Sequence, residues 1–401
     1  MATILFAWRY LWSRPLATAL NLLLLSLGLA SMTFLLLVSH QIDQAFERDL
    51  AGIDVVVGAK GSPMQLILSG VFHLDVPTGN VPLAAIKELE IHPQVASIIP
   101  ISLGDSFRGF RVVGTTPAYI SNYAGVLASG ALWSQPMQAV IGAQVAKQTG
   151  LKVGDRFAGS HGLGGGGDVH GQTPYTVVGV LARSASVLDR LVVTATESVW
   201  KVHEADTALD AEDQKILEEE REITLALIKY KTPLAAVTFP RFINTTTEMQ
   251  SAAPAVEITR LLGMVGVGID VLRALAGVLL LTAGLSVFIA LWSAVRERRA
   301  DLALLRMLGA PPRKIASLLL CEALWLALLA ALVGVLLGQG LLALMAWMLQ
   351  LDNSVLIGGM TWPIELMVVP ALALGVALAS ALLPAWEAYR VSVFEIGRAH
   401  V

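Results

Sequence analysis

Four apolar runs constrain this chain more than any other feature. Residues 16–39 carry no charged side chain, and about 20 such residues cross a bilayer as a helix. Residues 271–295, 315–350 and 363–383 are similar runs in which Arg273, Glu322 and Glu365 are the ionisable residues. Hydrocarbon offers no water to backbone N–H and C=O groups, so each run must fold as a helix. Four crossings leave both chain ends on one side. Arg9 and Arg14 before the first run, and Arg296, Arg298, Arg299, Arg306, Arg313 and Lys314 between the second and third, mark that side as cytosolic. The expected fold is an α-helical membrane protein with four transmembrane helices. A large α+β extracytoplasmic domain, residues 40–270, is inserted between the first and second spans.

Composition agrees with that division. The chain has 401 residues, 55% hydrophobic and 15% charged, a membrane composition diluted by a soluble part. Residues 1–15 read as an interfacial helix anchored by Phe6, Trp8, Tyr10 and Trp12. The competing signal-peptide reading needs a shorter apolar run closed by a small-residue cleavage site. Residues 351–362 form a short outer loop and residues 384–401 a cytosolic tail. Within 40–270, residues 53–57, 95–101, 110–113, 139–141, 175–181, 191–194 and 223–230 read as strands. Residues 82–90 read as a helix opened by proline, and the acidic run 204–222 as a solvated helix. The apolar centre of the turn-rich stretch 57–80 reads as a packing element or a substrate-facing loop.

Several chemistries are excluded or left open. No phosphate-cradling G-x-x-x-x-G-K-[ST] occurs, so any ATP and Mg²⁺ used would be bound by a partner subunit. No nucleophile, base and orienter stand in a recognised pattern, so the chain is not expected to be an enzyme by itself. A net charge of −3 without a basic face gives no support for nucleic acid. Cys321, the single cysteine, lies in an apolar run, so the outer domain must fold without disulfides of its own. Glu322 inside the third run is a functional candidate, because an unpaired carboxylate in the membrane is costly; pairing near the inner interface with an arginine of the 296–314 segment is the simpler account. Gly334, Gly338 and Gly340 fit close helix packing, the first two with G-x-x-x-G spacing. In the glycine-rich stretch 160–175, His161, Asp168 and His170 form a possible zinc donor set. His73 with Asp75, or His203 with Glu204, are further donors. An ordinary solvated loop is the alternative, since the spacing matches no closed zinc motif.

The basic segment between the second and third runs, residues 296–314, reads as a helix on a tight loop. Leu302, Leu305 and Leu308 recur every three residues. Gly309 supplies a left-handed cap, and Pro311 and Pro312 stop the ladder. Such an element suits docking into another protein's groove; a charged loop that only sets the topology fits the same pattern equally well.

RRADLALLRMLGAPPRKI, starting at Arg298, resembles the signature of FtsX-like permeases, the family of macrolide-exporter and lipoprotein-releasing permeases. Asp301 stands where glutamate is usual. AVIGAQVAKQTGLKVGDRF, residues 139–157, and YTVVGVL, residues 175–181, resemble that family's outer core domain, and Glu322 falls where its third span has a glutamate. LLPAWEAYRVSVFEI, residues 382–396, resembles its closing segment, with Val393 and Ile396 replacing the second proline and last alanine.

The resemblance implies a type VII ABC transporter permease of the mechanotransmission type. Such a permease acts as a homodimer, or beside a paralogue, in a bacterial inner membrane. A separate cytosolic ATPase pair would be coupled through Arg298, Arg299, Asp301, Leu302, Leu305, Arg306, Leu308 and Gly309. A periplasmic adaptor or substrate-binding protein is a further implied partner. The substrate would be a lipoprotein, lipid, peptide or amphiphile in the periplasm or outer leaflet. The alternatives are an FtsX-like scaffold that signals to an extracytoplasmic partner, and a metal-linked transport system using the His161/His170 loop.

Overall fold

The computed structural model describes residues 2–162, 173–204, 217–218, 220–297, 302, 304, 306–351 and 361–390, and its helices take the places the apolar runs require. Four are long and apolar enough to cross a membrane: Pro15–Asp49, Pro254–Glu297, Pro312–Met348 and Ile364–Arg390. The first three outrun their apolar cores. At 1.5 Å per residue the 44-residue Pro254–Glu297 helix is about 66 Å long, twice the hydrocarbon thickness.

The chain divides into two units. One comprises residues 1–41, 265–348 and 357–401; the other is residues 42–264 with 349–356. In the first, small residues set the helix spacing. A Cβ built on Gly338 would lie 2.5 Å from Thr33 Cγ2, and one on Gly334 2.7 Å from Leu29 Cβ. The G-x-x-x-G pair therefore admits the first span against the third, as its spacing suggests; the expectation for Gly340 fails, since a Cβ there would meet nothing within 4 Å. Gly284 admits the fourth span against the second: its carbonyl accepts the Ser380 hydroxyl at 2.8 Å, and Val376 lies 2.9 Å from its virtual Cβ. Asn21 and Ser286 share a 2.7 Å hydrogen bond between the first and second spans. The N-terminal helix Ala2–Leu11 is tied down by aromatic contact, Trp8 standing edge-on to Trp325 at 4.9 Å between ring centroids.

The second unit holds thirteen described strands: β1 (Val55–Ala59), β2 (Val81–Pro82), β3 (Val95–Phe107), β4 (Phe110–Thr115), β5 (Leu127–Gly130), β6 (Gln138–Ile141), β7 (Arg156–Phe157), β8 (Ser160–His161), β9 (Tyr175–Leu181), β10 (Leu191–Ala195), β11 (Glu222–Ile223), β12 (Leu225–Tyr230) and β13 (Met249–Ala252). Nine follow one another in the order β13-β1-β12-β3-β4-β10-β6-β9-β5, with β7 on β9 and β8 on β3; β2 and β11 form a separate pair.

The first four in that order are a β-α-β-β-α-β lobe, all antiparallel. Its two helices, Leu83–Glu90 and Ala235–Thr246, share one face. Ile86 and Leu89 of the first meet Phe239 and Ile243 of the second over Val55, Val57 and Ile228. Val56, Leu225 and Leu227 point to the opposite core. Both faces are covered, which explains why β1 is a continuous valine run where a half-exposed strand would alternate.

β3 serves two lobes. Its first half pairs with β12 and its second with β4, with a register shift after Leu103. The second lobe mixes parallel pairs, β4 with β10 and β6 with β9, with antiparallel ones. The expected strands are present, several longer than their patterns suggested. The expected 223–230 strand divides at Thr224: Glu222–Ile223 pairs with β2 and Leu225–Tyr230 with β3, while the Thr224 hydroxyl accepts the Leu103 N–H at 2.9 Å. The apolar centre of 57–80 forms the Pro63–Gly70 helix, capped by Ser62, with Leu66 and Ile67 fully buried. Most of the acidic run 204–222 lies outside the described residues.

Candidate functional site

The segment expected to dock a partner, residues 296–314, joins the second and third span helices. Arg298, Arg299, Asp301 and Leu305 lie outside the described residues. Of the others, Leu302 is buried, whereas Leu304, Met307 and Leu308 are exposed. Leu308 N–H donates to Leu304 at 3.0 Å and Gly309 N–H to Arg306 at 3.0 Å. Gly309 adopts φ +89°, the left-handed geometry that ends a helix at little cost for glycine. Pro312 then opens the third span helix, where its missing N–H is harmless. Leu304 and Met307 were not distinguished by the three-residue leucine spacing, yet with Leu308 they make an i, i+3, i+4 apolar face.

Glu322 lines a cavity of about 180 Å³ with Arg14, Thr18, Asn21 and Ser293. Arg14, from the turn before the first span, lines the same cavity, whereas none of the described arginines of the 296–314 segment does. Arg14 also pairs with Glu297, the last residue of the second span helix. Hydroxyl, amide, carboxyl and guanidinium groups accordingly gather near the ends of the helices that flank the 296–314 loop.

Of the zinc candidates, Asp168 and His170 lie outside the described residues. His161 Nδ1 stands 3.4 Å from an Asp105 oxygen, and the Asp105 side chain is 2% exposed. No group of three or more His, Cys, Asp and Glu side chains that could hold a metal occurs among the described residues; zinc ordinarily takes four ligands, or three and a water. His73 belongs to the core instead, its Nε2 2.8 Å from the Tyr119 hydroxyl, and burial holds its imidazole well below its ordinary pKa. The side chains of His203 and Glu204 lie outside the described residues.

A polar joint at the end of the first span helix carried no sequence motif. Asp49, the last residue of that helix, accepts the Val187 N–H on its carboxylate at 3.0 Å. Its carbonyl accepts the Tyr123 hydroxyl at 3.2 Å. Val187 opens a short 3₁₀ turn, Val187–Arg190, from which Arg190 donates to the Phe72 carbonyl at 2.7 Å. Burial pushes the Asp49 carboxyl up to about 6, against the Val187 bond and the Arg190 and Arg48 charges that favour ionisation; Asp189 adds to the rise.

Residues 18–233 match the family model of the MacB-like periplasmic core domain, and residues 273–393 match that of the FtsX-like permease C-terminal region. No curated protein gives a significant match. Among solved structures, the periplasmic region of MacB from Actinobacillus actinomycetemcomitans is similar over 54% of this chain and 95% of that one, at 11% identity and a TM-score of 0.35. The extracellular domain of the ABC-type transporter YknZ from Gram-positive bacteria is similar over 49% and 98%, at 11% identity and a TM-score of 0.31. The two family models meet the two halves of this architecture in order, the first spanning more than half of the chain: this protein belongs to the FtsX/MacB-like, type VII family of ABC transporter permeases.

Proposed function

We propose that this chain is the membrane subunit of a mechanotransmission transporter in a bacterial inner membrane. A separate cytosolic ABC ATPase pair binds ATP and Mg²⁺ and docks on the 296–314 segment. Two permease copies form the working unit, and the cargo is a periplasmic or outer-leaflet lipoprotein, lipid, peptide or amphiphile. The observation that carries this reading is the unbroken Pro15–Asp49 helix, whose last side chain is bonded into the outer domain. An α-helix resists bending between its ends, so a shift at one end is felt at the other, and no solute path through the bundle is needed.

The exposed Leu304, Met307 and Leu308 face supports the docking role, since a lone apolar face on a cytosolic loop is covered when a partner groove receives it. In a reconstituted complex with the cognate ATPase, Arg306→Ala and Leu308→Asp are expected to lower permease-dependent ATPase stimulation about tenfold. The melting of the outer domain should not change. Full stimulation in both variants would place the docking surface elsewhere.

A further inference from the structure

The two helices of the β-α-β-β-α-β lobe leave a groove of about 540 Å³ between them, a volume suited to a small ligand or a peptide side chain with its neighbours. Val81, Leu89, Phe242 and Met249 supply its apolar lining, and Glu88 and Glu248 supply carboxylates. His92 stacks on Phe242 at 5.0 Å and 29° between planes, giving one flat aromatic wall. The two threonines of the groove offer no free hydroxyl proton. Thr246 and Thr247 line the groove, but their hydroxyl protons go back to their own helix, to Phe242 O at 2.6 Å and Ile243 O at 2.7 Å. His92 Nδ1 accepts the Gln94 N–H at 3.3 Å, so the ring's proton is on Nε2. The Ala235–Thr246 helix ends here, adding the negative end of its dipole. Lys60 partly offsets this acidity through a 3.0 Å pair with Glu248.

We propose that this groove is a binding site for an organic cation carried on an apolar body. An ammonium or guanidinium group donates to the Glu88 and Glu248 carboxylates while the apolar part lies on Phe242 and Leu89. A free amphiphilic amine and a lysine or arginine side chain of a peptide share that chemistry. The site lies within the outer domain and needs no ATPase, so it stands or falls separately from the coupling reading.

Full-length protein in lipid nanodiscs is titrated calorimetrically with phenethylamine and, separately, with acetyl-Phe-Lys-Leu-amide. Their uncharged counterparts are 2-phenylethanol and the peptide with its lysine acetylated. Saturable binding of at least one cation is expected, tighter than its uncharged counterpart and weakened by salt. The Glu88→Gln, Glu248→Gln double variant should bind about fivefold more weakly. Lys60→Gln should bind severalfold more tightly, because it releases Glu248 from its pair, an outcome that a merely structural role for these exposed residues does not produce. A tenfold preference between the two cations identifies the source. Equal binding of the uncharged counterparts, unchanged affinity in the carboxylate or Lys60 variants, or no saturable binding of either cation would overturn the proposal.

Discussion

Asp49 and His73 set opposite pH responses within one polar joint. Asp49 holds its proton more tightly folded than unfolded, its carboxyl rising from 3.8 to about 6. Its contribution is therefore fully present at acid pH and is lost as pH rises through about 6. Buried His73 is held neutral, well below its ordinary 6.5, so its contribution is present above that value and is lost as pH falls. Asp49→Asn removes the response that offsets the histidine. Between pH 7 and pH 5 the variant's outer domain should lose about 1 kcal/mol more stability than the wild type, on the order of 3 °C in melting temperature. Calorimetry at the two pH values checks this; parallel losses would mean that Asp49 titrates in its ordinary range. Nothing in the sequence pointed to this joint. An aspartate at a helix end, a buried histidine and a pair of tyrosines, Tyr119 and Tyr123, come from three separate stretches of the chain and are unremarkable until folding gathers them.

Among the elements, helix spacing in the bundle rests on glycine. The close approach of Thr33 to Gly338 leaves no room for a side chain. Gly338→Leu should separate the first and third spans, lowering the thermal stability of the detergent-solubilised protein by the equivalent of about 1–3 kcal/mol. Gly340→Leu, where a Cβ would meet nothing within 4 Å, should be nearly neutral. A thermal shift assay of the two variants separates close packing from general intolerance of bulk. The G-x-x-x-G pair was legible because its period matches the helix. The Ala235–Thr246 helix was not: Pro240 lies inside it, and proline ordinarily argues against a helix interior. Burial of Ala235, Phe239 and Ile243, four residues apart, holds the element in place against that local cost.

Over the whole molecule, the proposed mechanism depends on continuity of the Pro15–Asp49 helix from its apolar part to the outer-domain joint. Asp43→Pro breaks one helical hydrogen bond at an exposed position, at a cost of about 3 kcal/mol. In the reconstituted complex it should leave ATPase binding intact while abolishing the response of transport to ATP. A variant that transports normally would remove the helix from the transmission path.

The sequence by itself determined the four spans, their orientation, the inserted outer domain and the family, because hydrocarbon imposes a length and a charge rule that can be read locally. Strand positions in the outer domain were legible for the same reason, from short apolar runs between turns. Tertiary structure alone decided that β3 belongs to two lobes, that Arg14 and Glu322 line one cavity, that Asp105 faces His161 and that two helices flank a groove lined by two carboxylates. Each of these depends on residues distant in the chain being brought together. Contact between distant segments is fixed by the packing of the whole, which no local pattern encodes.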